Sequence, residues 1–500
     1  MVSATRQKCL KSTCVDIRQK IIGLLTAEPG PSIVWLHGVA GSGKSTIATS
    51  IEDYFRETYQ LGGYLKFERG KSDPNSVIRE IAFNLSLFDT SIGSSILEHV
   101  EKDKNIASAL LSRQFEELLL SPLNDIAGSG SERSRNQEVV VIVIDALDEC
   151  GSPDDRNDLM RLLRDEFTKL PSFIHFLITS RPEPDIVNAL SRQPDSVHEV
   201  VLDYTSDTSL HDVFSYLLAE MPKTIDAYPR IKLPVDWSWE EKMKVLGKAA
   251  GGLFIWASTA IKLVSSSDNP FSTLKLLISN SRLSSLDELY TTVLQYSGIS
   301  WSKESSRVRF STVLAMLLFG KESLSDDDID GLLGFLPEEP SYLILCKLRS
   351  VLSYTPGEPV RLFHASFSDY LQSPDRVGDP WFIDISRAKS NLAVQCFVVM
   401  EDWLQFNMCN LETSHKLNRD VPDIENRVRA HIPSHVKYTC TYWSHHLVEV
   451  PVGSSLIDAV SRFAYERLLF WFEAMSLTEK FRVNASHALL RAASWTVSLH

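Results

Sequence analysis

Three features of the sequence predict an α/β domain on a parallel sheet with helices on both faces, followed by helical regions. Short β-rich runs alternate with amphipathic helical periods through the first 205 residues, an order that builds parallel sheets. One run, EVVVIVI at 138–144, is almost continuously β-branched, as expected of a strand buried on both faces. Beyond Asp203 strand signals nearly vanish and helical periods take over. The chain is 44% hydrophobic and 23% charged over 500 residues, which suffices for several cores at about 150 residues per domain.

Apolar residues recur at helical spacing over 15–27 (Ile17, Ile21, Ile22, Leu24, Leu25) and stop at the turn Pro29-Gly30-Pro31. A short strand over 32–37 runs into Gly38, Gly41 and Gly43, after which 45–54 resumes a helical period. A second strand falls at 63–67, and 74–87, 91–102 and 107–120 read as amphipathic helices. The AGSGSERSRNQ stretch at 127–137 reads as an exposed loop inside the domain, because strand signals continue on both sides. A helix at 154–170, a strand at 172–179, a helix at 184–190 and a strand at 198–202 complete the alternation.

Helices are then expected at 209–219, 239–250, 253–263 and 286–294. Between 302 and 374, helices at 307–318, 326–335 and 342–351 precede two short strands around Pro356-Gly357 and a helix from Ser366, which suggests a winged helix. Ser325 is placed to cap the helix that opens with Asp326, Asp327 and Asp328, three carboxylates at the positive end of its dipole. From Ile385 onward the chain is helical and aromatic-rich, without an internal repeat. The expected divisions are a lead-in helix in 1–30, the sheet domain in 31–205, a helical domain in 206–300, a winged helix in 301–375 and a C-terminal helical region in 376–500.

With 51 Lys+Arg against 64 Asp+Glu, the formal charge is −13, which argues against an extended nucleic-acid footprint or a general affinity for anionic membrane. The longest uncharged apolar runs, 139–144 and 253–261, fall far short of the roughly 18 residues needed to span a bilayer. Residues 1–10 carry no apolar secretory core, so the sequons at Asn84 and Asn484 are expected to stay unmodified. Seven cysteines without a C-x-x-C pair fit a reducing compartment, and a cytoplasmic location is the expectation.

Residues 38–46, GVAGSGKST, fit G-x-x-x-x-G-K-[ST], the phosphate-binding loop. Its glycines let backbone N–H groups converge on a β-phosphate at the positive end of the next helix. Lys44 then reaches the β and γ oxygens, and the Ser45 hydroxyl ligates Mg²⁺. Gly38, Gly41, Ser42, Gly43, Lys44, Ser45 and Thr46 are therefore the expected nucleotide contacts. Such a loop needs an acidic element at the end of a neighbouring buried strand, and VIVIDALDE at 141–149 supplies it. Asp145, at the strand end, is assigned to the Mg²⁺ shell, and Asp148 and Glu149 lie close enough for one to orient a water. Arg181, just after the strand at 172–179, is placed either to read a γ-phosphate or to form a surface ion pair. Cys440, His445 and His446 lack the set of a metal site and are read as packing or surface residues.

In this order the motifs resemble the NACHT class of STAND P-loop ATPases, especially fungal NACHT proteins often described as nephrocystin-like. WLHGVAGSGKSTIA at 35–48 is similar to their Walker A block, and Cys9-Leu10 to their short lead-in. DALDEC at 145–150 resembles their extended acidic Walker B, and FLITSRPE at 176–183 their sensor 1 strand, which implies γ-phosphate reading by Arg181. GGLFIWA at 251–257, LFHASFSDYL at 362–371 and YTCTYWSHHL at 438–447 resemble their helical, winged-helix and later helical elements. The resemblance implies that His364 holds the ADP β-phosphate in a resting state. Phe254 stands where many relatives have a proline packed near the adenine. Relatives also flank this core with effector and repeat regions, which implies that the chain is a fragment or works with an effector or sensor in trans.

The resemblance implies a signalling switch: ADP-bound at rest, ATP-bound and homo-oligomeric when activated, and reset by slow hydrolysis, in fungal non-self recognition or cell death. The rival readings are a nucleotide-binding scaffold without significant hydrolysis and, more remotely, a small-molecule or nucleotide kinase. Nucleic-acid binding through the winged helix is not expected, because the acids at 326–330 would repel phosphate.

Overall fold

A computed structural model describes residues 8–128, 139–191, 196–279, 285–413 and 415–497. Residues 1–7 and most of the expected loop at 127–137 lie outside the described residues. The chain forms two compact units, Met1–Leu289 and Tyr290–His500.

The first unit opens with α1 (Val15–Leu25), then β1 (Ile33–His37) and α2 (Lys44–Glu57). The remaining strands are β2 (Leu61–Lys66), β3 (Val140–Asp145), β4 (Ile174–Ser180) and β5 (Val197–Val201). All pair in parallel, in the order β2-β3-β4-β1-β5. Every residue of β1, β3 and β4 is buried, because alternate side chains face two separate cores. Ile33, Trp35, Ile142, Ile144, Phe176 and Ile178 face one side, against Val77, Ile81, Leu85, Leu159, Leu163 and Ile186 from the covering helices. Val34, Leu36, Val141, Val143 and Leu177 face the other, against Ile21 and Leu25 of α1 and Ile47, Ile51 and Phe55 of α2. At about 1.5–3 kcal/mol for each fully buried Val, Leu or Ile, these two faces dominate the stability of the unit.

Sheet order corrects one expectation. The acidic strand β3 is not the neighbour of β1, because β4 lies between them. Strands apolar on both faces carry no side-chain mark of their place in a sheet. Several boundaries also move. The helix expected at 154–170 is Asn157–Asp165 followed by a 3-10 turn, Phe167–Lys169, and the one expected at 107–120 is broken into a 3-10 turn, a short helix and a π turn. The helix expected at 209–219 runs Asp207–Asp226, accommodating Pro222, and a further helix, Pro270–Ser279, carries its proline at the first position, where no N–H is missed. Helices Trp239–Ala250 and Phe254–Ser265 lie between them in the chain.

In the second unit, helices Glu304–Phe319, Asp326–Leu333 and Tyr342–Leu345 precede a minimal antiparallel pair, β6 (Leu352–Ser353) and β7 (Arg361–Leu362), and the helix Ala365–Gln372. Ser325 caps as expected, its Oγ accepting from Asp328 N at 3.2 Å. Asp326 is not free in solvent. Its carboxylate accepts from Tyr354 OH at 2.5 Å and Gly357 N at 2.8 Å, which ties the hairpin turn to the start of the helix. Further on, helices Ile385–Trp403, Ser434–Val448 and Leu468–Leu477 surround a core of Phe397, Tyr438, Trp443 and Trp471. No helix among the described residues is long and apolar enough to cross a membrane. All seven cysteines are free thiols.

Candidate functional site

The loop between β1 and α2 is shaped by glycine. Gly41 and Gly43 have φ of +78° and +105°, the left-handed region that other residues enter at a cost. The loop is also pressed against the start of helix Phe254–Ser265. A Cβ on Gly41 would lie 1.9 Å from Ile255 Cγ2, one on Gly43 would lie 3.2 Å from the Phe254 ring, and Ile255 N donates to Gly41 O at 3.1 Å. Ser42 is buried, and its Oγ closes the loop on Val39 O at 2.9 Å. Ser45 is exposed in the first turn of α2, and the Thr46 carbonyl accepts from Ser50 Oγ at 2.9 Å.

Lys44 Nζ donates to the carbonyls of Gly38 and Val39, each at 2.8 Å. Burial brings its pKa down to about 8, while Asp148, Asp145 and Glu149 favour the ammonium and Arg181 opposes it. Residues at and just after the ends of β3 and β4 thus act electrostatically on the amine of the first residue of α2.

Asp145, the last residue of β3, is fully buried with both oxygens occupied. Oδ1 accepts from Thr179 Oγ1 at 2.6 Å and Oδ2 from Tyr64 OH at 3.2 Å. Thr179 Oγ1 also accepts from Ala146 N at 3.0 Å, where Ala146 turns the chain at φ +61° into the 3-10 turn Leu147–Glu149. Asp148, buried, accepts from Arg181 N at 3.0 Å and faces Arg181 Nε at 3.2 Å. Of the two readings of Arg181, the ion pair is present, with a largely buried partner that belongs to the site itself. Glu149 accepts from Arg69 N at 3.3 Å. Burial first and Asp148 second push its pKa up to about 7, against Arg69 and Arg181.

Sequence reasoning missed four contributors: Tyr64, Arg69, Thr179 and Arg156. Arg156 is completely buried and joins two loops. Its Nη1 donates to Asp148 O at 3.0 Å and Gly151 O at 3.3 Å, its Nε to Asp185 Oδ2 at 2.6 Å, and its Nη2 to Asp185 Oδ1 at 3.1 Å and to Glu183. The available signal was Glu183 and Asp185 directly after the Ser180-Arg181-Pro182 turn, a carboxylate pair in want of a cation.

His364 lies in the second unit, where its Nδ1 accepts from Ser366 N at 3.1 Å and caps helix Ala365–Gln372. Phe254 meets Tyr216 edge-on, with ring centroids 5.9 Å apart. Among the described residues no group of three or more His, Cys, Asp or Glu could hold a metal ion. The His446 ring is kept neutral, its pKa pushed down to about 3 by burial and then by Lys321, with Nε2 2.7 Å from Tyr438 OH.

An α/β P-loop domain followed by a helical region is the architecture defined by this sheet, loop and chain order. Residues 16–181, from α1 to Arg181, match the family described as Nephrocystin 3, N-terminal, so this stretch is a nephrocystin-like N-terminal domain. No curated protein matches the chain significantly. Among solved structures, Cdc6p from Pyrobaculum aerophilum is 16% identical over 77% of this chain and 94% of that chain, with a TM-score of 0.31. The Drosophila ORC bound to DNA is 13% identical over 72% and 87%, also with a TM-score of 0.31. Overlaps this loose say nothing about what the chain binds.

Proposed function

We propose that the chain is a nucleotide-operated switch of the NACHT, STAND type, which binds ATP and ADP with Mg²⁺ and returns from the ATP to the ADP state by slow hydrolysis. The observation that carries this reading is the convergence of Asp145, Asp148, Glu149 and Arg181 on the field of Lys44, beside a loop with left-handed glycines. The donor set fits a nucleotide: an amine that rests on loop carbonyls can turn to phosphate oxygens, and an exposed Ser45 hydroxyl sits at the start of α2. Bound Mg²⁺ supplies neutralisation of the charge on the phosphates. Ser45 would hold it, with Asp145, whose two oxygens accept from Thr179 and Tyr64, as the carboxylate of its surroundings. Backbone N–H groups at Gly38, Gly41, Ser42, Gly43 and Thr46 complete the phosphate cradle.

Glu149, with a pKa of about 7, is suited to accept a proton from an attacking water. Asp148 is best read as the counter-ion that aims Arg181, and Arg181 as the γ-phosphate reader. The role of His364 towards ADP rests on the resemblance alone, as do homo-oligomerisation, an effector or sensor in trans and fungal cell-death signalling, whereas a cytoplasmic setting rests on seven cysteines without a C-x-x-C pair. The divisions at 205, 300 and 375 and the winged helix rest on the change from strand to helical periods and on the order of helices and short strands between 302 and 374. A scaffold that binds nucleotide without turnover is the second reading, favoured by the closed bonding of Asp145.

The test is the identity of the nucleotide that co-purifies with wild type, Lys44→Ala and His364→Ala, released by denaturation and separated by ion exchange. Stoichiometric ADP in wild type, absent from Lys44→Ala and reduced in His364→Ala, is expected. A wild-type protein that is empty and binds ATP and ADP equally would overturn the switch, since a ligand without differential affinity shifts no equilibrium.

A further inference from the structure

The lead-in ahead of α1 holds two cysteines, Cys9 and Cys14, at the two ends of one turn beside α2. Thr13 N donates to Leu10 O at 3.0 Å, folding the segment between Cys9 and Cys14 into a turn. The two thiols share a hydrogen bond, and both side chains pack on the same apolar cluster as α1 and α2. Each end of the turn is fastened to a different helix. Cys9 N donates to Ser50 Oγ of α2 at 3.0 Å, and Cys14 N donates to Asp212 Oδ2 of helix Asp207–Asp226 at 2.9 Å. Arg18 holds the other side, its Nε donating to Cys14 O at 3.2 Å and its Nη2 to Thr13 O at 3.3 Å.

The pair is asymmetric. Cys9 is half-buried, whereas Cys14 is 8% exposed. The hydrogen bond from Cys14, aided by Ser50 and Arg18 and opposed by burial and Asp212, brings the Cys9 thiol down to about 7. The same hydrogen bond, burial and Asp212 push the Cys14 thiol well above the ordinary range. An accessible thiolate beside a protected thiol is the arrangement that attacks a disulfide and then resolves the product. The thiols of Cys150, Cys396 and Cys440 are buried and pushed up to about 12 by burial, with Cys440 raising Cys396 further.

We propose that Cys9 and Cys14 form a redox-active dithiol, a modification site for small organic disulfides of the glutathione disulfide class. In the first step the Cys9 thiolate attacks one sulfur of the small disulfide. A new S–S bond joins Cys9 to one half, and the other half leaves as a thiolate that takes up a proton from water. In the second step Cys14 gives its proton to water, its sulfur attacks the Cys9 sulfur, and the remaining small thiolate leaves and is protonated. The protein loses two electrons and two protons, and the reagent becomes two thiols. The resulting bond fixes the segment that lies over α2, the helix that begins at Lys44.

The experiment treats the reduced full chain with glutathione disulfide, quenches with acid, alkylates the remaining thiols and maps the peptides. Wild type is expected to give a Cys9–Cys14 disulfide two hydrogens lighter than the reduced peptide, and Cys14→Ser a stable glutathione adduct on Cys9. Cys9→Ser is expected to leave Cys14 unmodified. Alkylation of wild type at pH 7 is expected to be faster at Cys9 than at Cys346, the other half-buried thiol. A wild-type reaction that stops at a glutathione adduct, oxidises other cysteines instead, or leaves Cys9 no more reactive than Cys346 would overturn the proposal. These readouts need no nucleotide, so they stand apart from the switch reading.

Discussion

Lys44 and Glu149 bracket neutrality from opposite directions, for one physical reason: each is taken out of water while other charges press on it. Under the proposed function, hydrolysis needs Glu149 ionised and Lys44 protonated. The pH profile of kcat/KM is therefore expected to be a narrow bell, rising near 7 and falling near 8. Glu149→Gln is expected to abolish turnover while nucleotide remains bound. The same carboxyl has a consequence for folding. Its folded pKa, near 7, lies above the usual value near 4.5, so its contribution is fully present below about pH 4.5 and is lost as pH rises through 7. Glu149→Gln should accordingly exceed wild type in stability at pH 8 by about 2 kcal/mol, and the gap should close towards pH 4.5 in denaturant titrations. Arg156 gives a second residue-scale outcome. Arg156→Met leaves Asp185 and Glu183 without their cation, so a loss of about 3 kcal/mol is expected in thermal melts. Arg156→Lys should recover part of that stability but not the bridge to Asp148 O and Gly151 O, because an ammonium lacks the planar fork.

At the scale of the element, the phosphate loop depends on the helix that follows Gly251-Gly252 as much as on its own glycines. Gly41→Ala would drive a methyl into Ile255 and impose φ +78° on a residue with a side chain. Nucleotide binding measured by calorimetry is expected to fall by at least an order of magnitude, at about 1.4 kcal/mol per tenfold. Adding Ile255→Ala removes the clash and leaves a backbone cost of about 1–2 kcal/mol, so the double variant should bind better than Gly41→Ala alone. If the double variant is no better, Ile255 is not what constrains the loop. The ends of β3 and β4 form a comparable unit. Thr179 Oγ1 bonds Asp145 and receives Ala146 N, so strand pairing and side-chain bonding set the acidic turn together.

At the scale of the whole chain, ATP but not ADP is expected to convert wild type to a larger species in sedimentation velocity, and Lys44→Ala should stay in its starting state with either nucleotide. Unchanged sedimentation with saturating ATP would favour the scaffold reading. The two compact units hold different parts of the proposed switch: the phosphate loop and its carboxylates lie in Met1–Leu289, and His364 lies in Tyr290–His500.

The sequence alone determined the doubly covered parallel sheet, the loop from Gly38 to Thr46 and the acidic turn from Asp145 to Glu149. Each is a local pattern: continuous apolar runs, glycine spacing, and carboxylates at a strand end. It also placed Ser325 as a cap, because capping is settled within three residues. Only the tertiary structure decided that β4 separates β1 from β3, that Asp148 is bonded to Arg181, and that Tyr64 and Thr179 close Asp145. Arg156 belongs with these: nothing around it in the chain distinguishes it from a surface arginine, and it becomes a bridge only when Asp185 folds onto it from 29 positions away. Local patterns survive in a sequence because neighbours along the chain stay neighbours in space, whereas the partners of a buried charge are chosen by the fold.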